Sequence, residues 1–298
     1  MRPLLSIIIP SYNRRKLLTR CLSSIKNDFN KCEVIVIDDG SNYNVKKSIS
    51  IYKKKINIKI FRIQNSGRTF ALYYGITKAK GKFTIILDDD DKFLKSGLNK
   101  VLATLKNNEN YNNNFFVFGT IIKKKSKIIR STPSKNINNY LKIIADQKIK
   151  TDMKEVVSTD ILKNIIKHFK IKKFERIPTG LIWALASKKN PCISIDCPVV
   201  QKEYLKGGIT SKINFYKLKN PIYMQKLYLI YYNSKEYNSL SFRCLAIINY
   251  LRYSLHANKK INFNLYKSIF YIFSLIIFYV DLINLKINEK KNKNFTYN

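Results

Sequence analysis

Acidic residues are scarce in this chain of 298 amino acids. Asp and Glu number 19 against 56 Lys and Arg, a formal net charge of +37 at pH 7. Such a chain is drawn to polyanions: nucleic acid, an acidic membrane face or a phosphorylated substrate. Charge does not choose among them, and since Lys, Asn and Ile are spread over almost every segment, the excess also reads as a general compositional bias. Cysteine offers no framework. The five are odd in number, and no pair is spaced as zinc ligands beside a second pair or a histidine, so a reduced cytoplasm is the expected setting. Only two histidines occur; neither is placed to join a nucleophilic triad, and no Ser or Cys lies in a recognisable elbow. No recognised nucleic-acid module is present, so nucleic acid is not an expected partner. The N-terminus reaches an apolar run by Leu4 without a signal peptide's long apolar region, and secretion is not expected.

Long apolar runs are missing too. A spanning helix needs ~20 apolar residues. The uncharged stretch Ser268 to Val280, preceded by Lys267, stops short of that at Asp281. It reads as a helix lying in the interface of an anionic membrane, with a core or subunit-interface helix as the alternative.

What the chain does have is an α/β alternation. Leu4 to Ile9 is a continuous apolar run ended by Pro10, Ser11 and Asn13, the pattern of a buried parallel strand feeding a loop. Lys16 to Ile25 repeats apolar residues at helical spacing, and the strand Glu33 to Ile37 ends in Asp38, Asp39, Gly40 and Ser41. A strand over Ile56 to Ile63 leads to Asn65, Ser66 and Gly67, and a helix from Thr69 to Ala79 stops at Gly81. The next strand, Phe83 to Leu87, runs into four aspartates. A further helix is expected over Ser96 to Lys106 and a strand over Phe115 to Ile122. Helices at Asn138 to Asp146, Thr159 to Phe169 and Leu181 to Ser187 precede a strand near Ile193 to Val200 and a Gly207, Gly208 turn; from Pro221 onward the pattern is helical and aromatic. This order predicts a doubly wound sheet whose ligands gather where the strands end.

Asp88 to Asp91 form the most informative cluster. Four adjacent carboxylates repel one another unless a cation or solvent neutralises them, and a divalent metal suits oxygen ligands that must also hold phosphates. Helix capping by one or two of them is the plainer alternative.

The run Ser6-Ile-Ile-Ile-Pro-Ser-Tyr-Asn-Arg14, then Glu33-Val-Ile-Val-Ile-Asp-Asp-Gly-Ser41, Asn65-Ser-Gly67 and Ala79-Lys-Gly-Lys-Phe-Thr-Ile-Ile-Leu-Asp-Asp-Asp-Asp91 resembles the successive motifs of family 2 glycosyltransferases with the GT-A fold. The resemblance is strong from Leu4 to about Leu98. It implies a GT-A, Rossmann-like, mixed and mainly parallel sheet flanked by helices, with a C-terminal helical extension. It also implies a nucleotide-sugar donor, UDP- or dTDP-linked, with Mn2+ or Mg2+ as cofactor. Pro10, Ser11, Tyr12 and Asn13 would lie along the base and ribose. Asp38 or Asp39, with Gly40 and Ser41, would meet the base imide, and Asn65, Gly67, Arg68 and Asp89 would line the nucleotide or its diphosphate. Asp90 would ligate the metal directly, with Asp88 contacting the ribose or the metal through water. Many relatives carry Ala-Arg-Asn where this chain has Ala71-Leu72-Tyr73, which removes one basic contact.

A weaker resemblance continues through Asp152-Met-Lys-Glu155, Thr159-Asp-Ile-Leu162, Leu181-Ile-Trp183 and Glu203 to Thr210. It implies a catalytic domain over 1–215 (nucleotide half 1–98, acceptor half 99–215) and a helical extension over 216–298. Trp183 would stack on an acceptor sugar or fill the core. The carboxylate expected just before it is Thr179, which cannot serve as a base near neutral pH. Glu175 is the preferred residue for that step, with Asp152 or Glu155 as alternatives, and Asp91 at the strand end is the second carboxylate expected to be catalytic. The resemblance implies inverting transfer to a hydroxyl of a glycan or lipid-linked acceptor in bacterial surface polysaccharide synthesis, at the inner face of the membrane. A degenerate transferase that binds donor without turnover, and a metal-dependent nucleic-acid-binding protein, remain as alternatives.

Overall fold

The computed structural model describes residues 2–25, 31–108, 114–124, 127–134, 137–146, 152–188, 190–204, 213–261 and 265–294. They form two compact units: Met1–Glu175 with Leu185–Tyr204, and Arg176–Ala184 with Leu205–Asn298.

The first unit is built on β1 (Leu5–Ser11), every residue of which is buried. Its apolar side chains point to both faces of the sheet because helices cover both, as in a central parallel strand. Each such Ile or Leu contributes ~1.5–3 kcal/mol by leaving water. α1 (Arg15–Ser23) packs Leu18, Cys21 and Leu22 inward. It leads to β2 (Cys32–Asp38), parallel to β1 with Ser11 opposite Asp38. After the short α2 (Val45–Ser48), β3 (Ile58–Arg62) adds in parallel to β2. α3 (Arg68–Lys78) follows, then β4 (Phe83–Ile86), parallel to β1 on its other side. α3 approaches the sheet closely at Gly75, where an added Cβ would meet Ile8 Cγ2 at 2.5 Å. The departure at Leu72-Tyr73 has a packing reason: both side chains are buried, and Tyr73 meets Phe169 edge-on.

The second half of the sheet mixes directions. β5 (Lys92–Phe93) precedes α4 (Gly97–Asn107); β6 (Phe115–Lys124) and β7 (Lys127–Ser131) form a hairpin, followed by α5 (Tyr140–Asp146). Next come β8 (Lys154–Ser158), α6 (Thr159–Ile166), α7 (Thr179–Ser187) and β9 (Cys192–Lys202). The sheet order is β3-β2-β1-β4-β8-β6-β9-β5, with β7 on β6. β8 is antiparallel to both β4 and β6, whereas β9 runs parallel to β6. The result is a mixed α/β fold, parallel in its first half. Strands β5, β7 and β8 were not among the sequence expectations, and the Gly207, Gly208 turn lies outside the described residues.

The second unit is helical: α8 (Ile213–Lys219), α9 (Pro221–Asn233), α10 (Leu240–His256) and α11 (Leu265–Asn294). Pro221 opens α9 where its missing N–H costs nothing, and the Ser239 side chain caps α10 by accepting from Phe242 N. α9 and α10 join through stacked tyrosines, Tyr228 on Tyr253 at 5.8 Å and Tyr232 on Tyr250 at 6.3 Å. Trp183, which belongs to this unit, is buried.

α11 corrects one expectation. Asp281 does not end the apolar run; the helix continues through it, and Ser268–Ile287 forms a 20-residue stretch of mean hydropathy 2.0, long and apolar enough to cross a membrane by length and composition. The carboxylate is tolerated because Arg252 of α10 donates to both its oxygens at 2.6 Å and His256 approaches to 2.9 Å. On the opposite face Ile269, Phe273, Ile276, Val280, Ile283 and Ile287 are exposed in a continuous stripe.

Candidate active site

Four loops leave the carboxyl ends of β1 to β4, and side chains of each grip the backbone or side chains of the next. Asp39 N–H donates to Ser11 O at 2.9 Å, and Asn13 N–H donates to Ser41 Oγ at 3.0 Å. Asn13 Oδ1 in turn accepts from Asn42 N at 2.7 Å. Asn13 holds a left-handed φ of 53°, which Asn adopts more readily than most residues. The Asp39 carboxylate ties down the third loop, accepting from Ser66 N at 2.8 Å and Gly67 N at 2.9 Å. Gly40 and Gly67 have φ of 82° and 90°, and a Cβ on Gly40 would sit 2.8 Å from Asn65 N, so the second and third loops meet only because that side chain is absent.

The fourth loop carries Asp88 to Asp91, and the aspartates alternate. Asp89 and Asp91 are buried, Asp88 and Asp90 half open. Ser11 Oγ donates to Asp89 Oδ2 at 2.8 Å, while Arg14 Nη1 lies 3.0 Å from both Asp89 Oδ1 and Asp90 Oδ2. Arg68 directs Nε and Nη2 at Asp88 Oδ1, at 2.8 and 2.6 Å. Lys154 Nζ, buried, reaches Ile86 O at 3.0 Å and Asp91 Oδ2 at 3.4 Å, and Lys202 Nζ lies 3.8 Å from Asp91 Oδ2. Arg20 donates to the Asp90 carbonyl at 2.6 Å and pairs with Glu203.

The repulsion argument made from sequence therefore needs correction. The carboxylates are neutralised by Arg14, Arg68, Lys154 and Lys202, and among the described residues no group of three or more His, Cys, Asp or Glu is arranged to hold a metal ion. The compensation is uneven, however. Burial works to raise the Asp88 carboxyl, but the charges of Arg68, Lys202 and Lys154 outweigh it and hold the group well below the usual carboxylate range. Asp90 is pushed up to about 6 by burial and then by Asp88, Asp91 and Asp89, against the weaker pull of Arg14. A half-open carboxylate under residual negative potential, with the half-open Asp88 close enough for its charge to be felt, fits a hard divalent cation.

Other expected site residues fall as follows. Pro10 is buried in β1, next to its last residue, and Tyr12 is 44% exposed. Asp38 is buried, accepting from Ser41 N and from Arg62, so neither it nor Asp39 turns a carboxylate outward. Asp91 is 1% exposed between two lysines, an anchor of the loop and not a group open to an acceptor hydroxyl. Glu175 Oε2 accepts from Lys172 N at 3.0 Å, closing a turn whose Phe174 N–H donates to Ser66 O at 2.7 Å. That turn docks on the third loop. Glu155, in β8 beside Lys154, has its Oε1 3.3 Å from the Tyr140 hydroxyl; burial pushes it up to about 7 against the opposing charges of Lys154 and Lys202. Asp152 is exposed and touches Lys202 at 3.3 Å and Tyr204 at 3.4 Å. Sequence reading singled out Arg68 but missed the other three internal cations, Arg14, Lys154 and Lys202. Arg14 stood inside a recognised motif and Lys154 inside an acceptor segment, but neither bore a mark distinguishing it from the other basic residues.

The family model for Glycosyl transferase family 2 matches residues 6–176, which contain all four loops. The chain belongs to this family. Among curated family relatives it is 35% identical over 140 residues to a GalNAc(5)-diNAcBac-PP-undecaprenol beta-1,3-glucosyltransferase of Campylobacter jejuni, covering 45% of this chain and 44% of that protein. The chain thus spans less than half the length of that relative. Its fold is similar to that of TarS residues 1–349 from S. aureus in complex with UDP-GlcNAc, with TM-score 0.63 and 17% identity over 92% of this chain and 80% of the other. It is also similar to the mannosyltransferase PcManGT from Pyrobaculum calidifontis in complex with GDP-Man and Mn2+, with TM-score 0.54 and 12% identity over 98% and 88% of the two chains.

Proposed function

We propose that the chain is an inverting glycosyltransferase that takes a sugar from a UDP- or dTDP-linked donor and passes it to a hydroxyl of a glycan or lipid-linked acceptor in bacterial glycan synthesis. The observation that carries this reading is the set of four interlocked loops in which Asp88 and Asp90 stay half open while Asp89 and Asp91 are buried. Tyr12 offers an exposed ring for the base, and Arg68 a guanidinium for the diphosphate. Asp90, with Asp88 beside it, would hold Mn2+ or Mg2+. A bound divalent ion neutralises the charge that develops on the departing diphosphate. The relatives support the donor class: TarS was solved with UDP-GlcNAc and PcManGT with GDP-Man and Mn2+.

In the reaction, the acceptor oxygen forms a bond to the anomeric carbon as the bond from that carbon to the diphosphate oxygen breaks. The acceptor proton passes to a carboxylate. Of the three carboxylates expected for that step, we assign Glu155. It has no ion-pair partner within bonding reach among the described residues, and its affinity for a proton is matched to neutral pH. Glu175 is committed to its turn, and Asp152 is held by a lysine. Asp91 is assigned as the loop's anchor.

A thermal-shift series with UDP-, dTDP- and GDP-sugars, each with and without Mn2+, tests the donor reading. A UDP- or dTDP-sugar is expected to stabilise the protein only with Mn2+, by roughly 2.7 kcal/mol at about 100 times its dissociation constant. No shift with any of them would end it. Donor hydrolysis or transfer in the same samples separates an active enzyme from a degenerate binder.

The stripe on α11 supports peripheral membrane contact at the cytoplasmic face. Its apolar residues are uncharged over Ser268 to Val280, and Lys267, Lys286, Lys290 and Lys291 flank the run in sequence, suited to anionic headgroups. Pinning of Asp281 to α10 favours a helix lying on the bilayer over one crossing it. The paired substitution Ile276→Glu and Val280→Glu is expected to weaken sedimentation with phosphatidylglycerol vesicles by about tenfold or more while leaving the Mn2+-dependent shift intact. Unchanged vesicle binding would dismiss the membrane role.

A further inference from the structure

We propose that Arg14 is the exchangeable counter-ion of Asp90, and that it yields its place only when a divalent cation arrives together with a nucleoside diphosphate, so that neither ligand binds tightly alone. The inference rests on the donor reading above and adds the order and coupling of binding.

The four carboxylates of the strand end face four cations, one of which, Lys202, is shared with Asp152, so the resting cluster is nearly compensated with a small negative excess. The four cations are not held alike. Lys154 and Lys202 are buried against Asp91, and Lys154 is also bonded to the Ile86 carbonyl. Arg68 places two N–H groups on one oxygen of Asp88. Arg14 divides a single nitrogen between Asp89 and Asp90, and among the described residues it is the only cation bonded to the Asp90 side chain. Its own side chain is 30% exposed, with room to swing outward.

Departure of Arg14 would not disorder the loop. Asp89 keeps its bond from Ser11, and the Asp90 backbone is held separately by Arg20, itself anchored by Glu203. What exchanges is one side chain on a fixed backbone. A bare divalent ion would turn this nearly compensated cluster positive, and a bare diphosphate would deepen its negative excess. Entering together their charges largely cancel, with Arg14 freed from Asp90 to face the phosphates. Coupling of this kind is reciprocal: whatever factor the nucleotide adds to metal affinity, the metal adds to nucleotide affinity.

The test measures Mn2+ alone, by the spin-resonance signal of the free ion, and UDP by calorimetry with and without Mn2+, in the wild type, Arg14→Met and Arg14→Lys. Arg14→Met is expected to bind Mn2+ alone about tenfold more tightly than the wild type, and the factor by which UDP tightens Mn2+ binding should shrink by about the same amount. Arg14→Lys keeps the charge and should follow the wild type, which also guards against loss of fold in the methionine variant. Mn2+ affinity in Arg14→Met equal to or below that of the wild type, with the Mn2+–UDP complex still formed, would overturn the inference, as would Arg14→Lys behaving like Arg14→Met. Absence of any Mn2+–UDP complex in the wild type would instead count against the donor site itself.

Discussion

Asp90→Asn is expected to make the ligand-free protein more stable at pH 7.5 and to end sugar transfer. The carboxyl is raised to about 6, first by burial and then by Asp88, Asp91 and Asp89. Because its folded value lies above the ordinary aspartate value, the native state holds this proton more tightly than the unfolded chain. Stability contributed by the group therefore falls as pH rises from about 4 through about 6, and stays reduced above that. Asparagine removes the penalty. A shift of about two units sets a ceiling of roughly 3 kcal/mol, and partial exposure with the loss of the Arg14 contact brings the expected gain to about 1–2 kcal/mol, or a melting-point rise of several degrees. The gain should vanish near pH 4. Turnover should fall by about 10³-fold, since the group that would hold the metal is gone. Calorimetry at pH 7.5 and 4.5 beside a donor-turnover assay checks both; a variant less stable than wild type at pH 7.5 would show that the Arg14 pairing outweighs the repulsion.

Glu155→Gln is expected to cost about 10²- to 10⁴-fold in transfer while leaving the Mn2+-dependent stabilisation by donor unchanged. A base must be ionised to accept the acceptor's proton, so wild-type kcat/KM should climb with pH to a plateau above about 7, where burial has raised this carboxyl. Lys154, Lys202, Asp152 and the Tyr140 hydroxyl are the groups around it, with the lysines opposing the rise and Asp152 adding to it. In Glu155→Gln that limb should disappear, and Glu155→Asp should restore part of the rate with a displaced limb. Full turnover in Glu155→Gln would pass the role to Asp152 or Glu175.

The donor half was legible because its strands are covered on both faces. Leu5 to Ile9 and Cys32 to Ile37 are apolar except for Ser6 and Glu33 and stop at polar loops, and the loops carry the chemistry. Strand β8 carried no such mark. Its five residues include a Lys and a Glu; pairing with β4 and β6 makes it a strand, and Asp91 makes the burial of Lys154 tolerable, so both causes lie far away in sequence. The internal cations were hidden for a related reason: in a chain with 56 Lys and Arg, nothing local separates Arg14 or Lys202 from a solvated residue. Asp281 was read as a stop because its partner, Arg252, sits on another helix.

That partner settles more than whether the helix continues. An α-helix turns by about 100° per residue, so sliding α11 along α10 by a single position would swing Ile276 and Val280 roughly a quarter of a circle aside. The same slip would strand the Arg252 guanidinium and the Asp281 carboxylate apart in half-buried surroundings, at a cost on the order of 3–5 kcal/mol. A charge on the inner side of the rod thus dictates the compass bearing of the oily stripe on its outer side.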